Sequence, residues 1–127
     1  MLPAHVRGPE SAVFWILSWL DRLGGTCAPE DPVEVFRDAA GMITRIRVEA
    51  IVRFADGARL DVDVELDVEL ACRRAFFDRF EPAGDRTWGW HHHHEPRGTD
   101  HRHAPPRYDA QPADPPTFEA VEAMMHS

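Results

Sequence analysis

Between Trp88 and His103 the chain crowds seven side chains able to carry protons or bind metals: His91, His92, His93, His94, Asp100, His101 and His103. Trp-Gly-Trp precedes the run of four histidines and Glu-Pro-Arg follows it, so the run belongs to the protein and is not an appended tag. If residues 87–94 form a strand, alternation places His92 and His94 on the face of Trp88 and Trp90, and His91 and His93 on the other. Paired histidines then stand roughly 6.5–7 Å apart at Cα. Such a His-x-His pair can present two imidazoles to one ion, and His101-Arg102-His103 repeats the spacing beyond a Pro-Gly turn. A divalent metal is one expectation, with His92, His94 and Asp100 among its ligands; imidazole suits several ions, so spacing does not name the metal.

The same stretch carries a second chemistry. Imidazoles titrate near neutral pH and can serve as general base and general acid. His91 or His93 would take a proton and His101 or His103 return it. Arg102, Arg97 and Arg107 would hold phosphate oxygens, while Trp88, Trp90 and Tyr108 would stack bases. That arrangement would cleave RNA without a metal.

These residues need a scaffold, and the hydrophobic pattern describes one. Pro9-Glu10-Ser11 opens and Gly24-Gly25 closes an N-terminal helix, with Val13, Ile16, Leu17, Leu20 and Leu23 on one stripe and Phe14, Trp15 and Trp19 broadening it. Asp31-Pro32-Val33-Glu34 reads as the capped start of a short helix ending at Gly41. The period then changes to two. Residues 43–54 alternate, and Leu60, Val62, Val64, Leu66, Val68 and Leu70 alternate against Asp61, Asp63, Glu65, Asp67 and Glu69. A two-residue loop between these strands would set Val52 opposite Asp61. A three-residue loop with Gly57 in the left-handed position sets Val52 opposite Leu60, Ala50 opposite Val62 and Val48 opposite Val64, and is the expected register. It also places Arg47 opposite Glu65 and Arg45 opposite Asp67. The row of acids reads as a solvated face rather than a metal site.

Residues 73–81 and 87–94 supply a third and a fourth strand, and Thr117 caps a short final helix with Phe118, Val121 and Met125 on one stripe. The expected fold is therefore α+β, one domain over residues 1–127. An antiparallel sheet of about four strands (hairpin 43–54/58–70, then 73–81 and 87–94) packs with an N-terminal and a short C-terminal helix. Residues 95–116 are a long Pro/His-rich loop.

At 127 residues the chain can bury a sizeable core. A formal charge of −8 disfavours binding that depends on a broad basic surface, although the arginines make the histidine-rich stretch locally basic. Cys27 and Cys72 form no metal-binding pattern and read as buried reduced thiols. No apolar run is long enough to span a membrane, and the N-terminus lacks the layout of a secretory signal, so a cytoplasmic location with no membrane partner is expected.

The order of elements also resembles a known family. Phe54-Ala55-Asp56-Gly57-Ala58-Arg59-Leu60, Trp88-Gly89-Trp90-His91 and His101-Arg102-His103-Ala104-Pro105 are similar to segments of the TumE family of small toxins, over about residues 43–125. Family members carry Tyr-x-Tyr-His where this chain has Trp88-Gly89-Trp90-His91. The Arg-Tyr-Asp-Asn-Ala-Pro segment is reduced here to Arg102-His103-Ala104-Pro105, and the histidines that follow it are missing. The resemblance implies the toxin of a toxin-antitoxin module, paired with an antitoxin that is a small DNA-binding protein, and suggests ribonuclease activity. It carries over His91, Arg102 and His103 as site residues.

Overall fold

The structure, a computed structural model, describes residues 1–93, 100–105 and 108–126. Helix α1 (Pro9–Arg22) starts at a proline and runs to Leu23, whose backbone N–H closes onto Leu20. Among the described residues eight strands follow: β1 (Thr26–Ala28), β2 (Val33–Arg37), β3 (Ile43–Arg53), β4 (Arg59–Asp67), β5 (Cys72–Phe80), β6 (Arg86–His93), β7 (His101–His103) and β8 (Gln111–Pro112). Helix α2 (Phe118–Met125) ends the chain, with the Thr117 hydroxyl accepting from the Ala120 N–H at 3.1 Å. The four central strands and both helices lie where expected, except that the second hairpin strand ends at Asp67 rather than at residue 70, because residues 68–70 form the next turn.

The sheet is larger than the four strands expected. All pairings among the described residues are antiparallel, in the order β1-β3-β4-β5-β6-β7-β8, with β2 sharing the β3 edge with β1. The short helix expected from Asp31 to Gly41 is instead strand β2. Val33 and Val35 alternate with Glu34, β-branched residues favour a pleated surface, and the open edge of β3 supplies partners for their backbone groups. Local capping signals lost to that edge. Likewise the stretch 95–116 is not irregular throughout, because β7 and β8 extend the sheet from β6.

The β3–β4 register is the one expected from the three-residue loop: Val52↔Leu60, Ala50↔Val62 and Val48↔Val64. Phe54 N–H donates to the Ala58 carbonyl at 2.9 Å, and Gly57 takes φ 90°. The same turn joins four successive hairpins. Asp38 to Met42, Asp67 to Ala71 and Glu81 to Asp85 repeat its two backbone bonds, and the fourth residue is always left-handed: Gly41, Gly57, Leu70 and Gly84. One turn type therefore sets the register from β2 through β6. Arg47 does stand opposite Glu65 and Arg45 opposite Asp67, yet the charges pair diagonally, Arg45 with Glu65 at 3.2 Å and Arg47 with Asp63 at 3.9 Å.

Alternation gives the sheet two faces. Val48, Val52, Leu60, Val64 and Phe77 turn toward the helices and are fully buried. Trp19 sits at the centre of that layer, 4.8 Å from the Phe118 ring and 6.1 Å from Phe77, and its indole N–H donates to the Phe118 carbonyl at 2.7 Å. Phe14 (75% exposed) and Leu17 (40% exposed) face outward, so the apolar girth of α1 is only partly absorbed. The opposite face carries Arg47, Glu49, Asp61, Asp63, Phe76, Asp78 and His91. No helix among the described residues is long and apolar enough to cross a membrane.

Candidate metal centre

Strand pairing assembles the histidines. β6 lies between β5 and β7 with Phe76↔His91↔His101 in one row across the sheet and Asp78↔Gly89↔His103 in the next. Because directly paired residues project to the same side, His91, His101 and His103 meet on the face away from the helices. One ligand-capable nitrogen from each lies within 4.8 Å of the others. His91 is 8% exposed and His101 and His103 are half-buried.

Each hydrogen bond around the cluster assigns a proton. His91 Nε2 lies 2.8 Å from Asp78 Oδ1, and a carboxylate can only accept, so Nε2 carries hydrogen and Nδ1 turns its lone pair to His101 Nε2, 3.2 Å away. His103 Nδ1 donates to the Tyr108 carbonyl at 2.9 Å, leaving Nε2 as the unprotonated nitrogen of the neutral ring. Tyr108 holds that carbonyl in place from a left-handed backbone, φ 60°. Zinc bound tetrahedrally at about 2.0–2.1 Å from nitrogen needs neighbouring ligand atoms about 3.3–3.4 Å apart. The His91–His101 edge is already there; no other edge exceeds 4.8 Å, so each has to close by no more than about 1.5 Å on the same geometry.

Three residues that the sequence reading missed make this possible. Asp78 orients His91, and Arg86 Nη1, 3.3 Å from the same Oδ1, steadies the carboxylate. Gly89, opposite Asp78, leaves the space that the carboxylate occupies: a Cβ there would collide with Asp78 Oδ1 and lie 3.2 Å from His91 Nε2. The signal was present in the sequence, since a lone acid inside Phe-Phe-Asp-Arg-Phe and a glycine inside a strand both mark a close approach.

The remaining expected residues are distributed differently. His93 lies on the same face, its ring stacked on His101 at 5.6 Å, and partial burial followed by the neighbouring imidazoles of His101, His91 and His92 pushes its pKa down. His92 points to the other side, with Nδ1 2.5 Å from Asp100 and Nε2 3.2 Å from the Cys72 carbonyl. Both of its nitrogens face oxygen acceptors, so neither offers a lone pair to an ion while those bonds stand. Arg102 lies on the helix side, over the Trp90 ring at 5.0 Å with Nη2 3.7 Å from the Met124 sulfur. Trp88 and Trp90 are core residues, 8% and 9% exposed, and the Trp90 indole donates to the Asp114 carbonyl. His94, Arg97 and Arg107 lie outside the described residues.

Beside the cluster a groove of about 610 Å³ runs across the same face between the 28–34 segment and β3 to β5. Asp31, Glu34, Glu49, Asp61, Asp63 and Asp78 line it, with Arg47 as the opposing charge. Several of these acids form ion pairs, Asp63 with Arg74 at 3.1 Å and Asp61 with Arg59 at 3.0 Å, so the acidic row is a neutralised face more than a free cluster. Its balance is still negative. Compared with models of known protein families, with curated proteins and with solved structures, the chain matches none.

Proposed function

We propose that this protein binds a divalent transition metal through His91, His101 and His103. The observation that carries the reading is the convergence of three imidazoles whose outer nitrogens on His91 and His103 are fixed by hydrogen bonds to a carboxylate and a carbonyl. Such outer partners set the tautomer of metal-binding histidines and raise their basicity. Nitrogen ligands suit zinc, copper, nickel and iron, and the His91–His101 edge is compatible with the separation that tetrahedral zinc requires.

The reading of the chain as a toxin acting on RNA retains the His91–His101 pair, spaced for proton exchange. It has less support from its phosphate ligands, because Arg102 projects to the helix side, and the charged lining of the groove next to the pair is six carboxylates and one arginine, a balance that disfavours a polyanion. The test is metal analysis and competitive zinc titration of the untagged full chain. One equivalent of tight zinc is expected, with the His101→Gln and His103→Gln variants at least about a hundredfold weaker and His92→Gln near wild type. Less than about half an equivalent, or equal losses for His92 and His103, would refute the assignment. RNA cleavage that persists in excess chelator would favour the toxin reading instead.

A further inference from the structure

The three histidines sit on two strands of unequal footing. β6 is part of the core sheet, with Trp88 and Trp90 buried on its helix side and β5 paired to it from Arg86 to His93. β7 is not. It is three residues long, pairs with β6 only from Gly89↔His103 to His91↔His101, and is bordered on its other side by the two-residue β8, whose side chains are exposed. No residue of β7 or β8 belongs to the hydrophobic core. Among the described residues, the side-chain links from this edge to β6 are hydrogen bonds and ring contacts. Asp100 lies 2.5 Å from His92 Nδ1, Arg102 lies over the Trp90 ring, and the Trp90 indole donates to the Asp114 carbonyl at 2.7 Å. The edge is also tied to itself, by the Ala113 N–H on the Asp100 carbonyl at 3.2 Å and by His103 Nδ1 on the Tyr108 carbonyl at 2.9 Å. An element held this way, with little apolar burial, opens locally at a lower free energy than the core strands.

We infer that the metal clasps this edge of the sheet: an ion bound by His91 of β6 and by His101 and His103 of β7 holds β7 and β8 closed, and its loss lets them open locally. This rests on the metal-binding reading above. Opening parts His91 from the other two ligands, so the closed edge binds the ion more tightly than the open one. A ligand shifts such an equilibrium by its differential affinity for the two states. Free ion at a hundred times its dissociation constant for the closed edge therefore makes opening about a hundredfold rarer. The open state uncovers the backbone N–H and C=O groups of β6 from Gly89 to His91, which are a template for pairing with another strand. The metal thus decides which strand forms that border of the sheet.

Hydrogen exchange of the untagged full chain, read by mass spectrometry under conditions where reclosing outpaces exchange, tests this. Without zinc, peptides carrying β7 and β8 should exchange faster than those of β3 and β4. Free zinc at a hundred times its dissociation constant should slow them about a hundredfold, while β1, at the opposite border and without a ligand, stays unchanged. His101→Gln, binding zinc about a hundredfold more weakly, should show only about a twofold slowing at the same free zinc. Stoichiometric zinc with unaltered β7 and β8 exchange overturns the clasp and leaves the metal site standing. An equal slowing in β1, or β7 and β8 exchanging as slowly as β3 and β4 before zinc is added, does the same. Failure to take up zinc at all overturns the metal reading itself.

Discussion

Gly89→Ala separates a designed metal centre from a chance gathering of histidines. Gly89 is not among the residues with positive φ, so alanine is compatible with the backbone, and the change by itself should stabilise the chain by roughly 0.4–1 kcal/mol through the unfolded state. Against that, the new methyl occupies the position of Asp78 Oδ1 and drives the carboxylate off His91 Nε2. The His91 and Asp78 side chains are only 10% and 19% exposed, so the lost bond to a charged group is worth roughly 1.5–3 kcal/mol with little solvent screening. A net loss of roughly 1–2 kcal/mol in metal-free stability follows from the two terms. The effect on metal binding is separate. Without Asp78 the His91 ring loses its fixed tautomer, and affinity should fall about 10–100-fold, or ~1.4–2.7 kcal/mol. Competitive zinc titration and urea unfolding of the same preparations read both quantities. Asp78→Asn, which keeps an acceptor but removes the charge, should show a smaller loss, and the double variant should be no weaker than Gly89→Ala because both changes break one bond. Wild-type zinc affinity in Gly89→Ala, or full additivity in the double variant, would refute the reasoning.

Arg102→Ala should lower stability through lost packing on Trp90 while leaving zinc affinity within about twofold, measured in parallel melts and titrations; a large affinity loss would place Arg102 in the site. Gly84→Ala, at φ 96° with open space around its missing side chain, isolates the backbone cost of the shared hairpin turn and should destabilise by about 1–2 kcal/mol in urea. Thr117→Ala removes the hydroxyl acceptor at the start of α2 and should cost about 1 kcal/mol in the same assay. Burial pushes the Cys72 thiol up to about 11, so at pH 8 it holds about a hundredfold less thiolate than an ordinary cysteine at 9.0 and should react with a thiol reagent correspondingly slowly until the chain is unfolded.

The central meander was legible because two local signals agreed. Alternation in Leu60 to Leu66 named the buried face, and Asp56-Gly57 chose a loop that kept Val52 opposite Leu60, leaving one register that sets Leu60, Val62, Val64 and Leu66 opposite the buried residues of β3. The edges were not legible for the opposite reason. Val33 to Arg37 is too short to outvote the Asp31-Pro32 start signal, and its strand state comes from β3, a partner several residues further along the chain. Leu70 shows the same limit from another side: it takes the left-handed turn position that glycine fills in the other three hairpins, so the residue alone did not mark the turn. Within the site, alternation correctly separated His91 and His93 from His92, Trp88 and Trp90. It was silent on Asp78, because only the β5–β6 pairing brings that carboxylate across Gly89 to His91.

That pairing also explains why the sheet, rather than the histidine-rich composition, decides the chemistry. Along β6 alternation puts only His91 and His93 on the face away from the helices, and two imidazoles alone make a weak site. The three-membered cluster exists because β7 pairs with β6 in the register that sets His101 opposite His91 and His103 opposite Gly89. A shift of one residue would place Arg102 among the imidazoles and send His101 and His103 toward the core, since each step along a strand exchanges its faces. Arg102 itself faces the helices in this register: its guanidinium lies over Trp90 and its Nη2 reaches Met124 of α2. The arginine that the sequence suggested as a phosphate ligand thus packs on the far side of the sheet from the histidines, while backbone pairing along β6 and β7 brings them together.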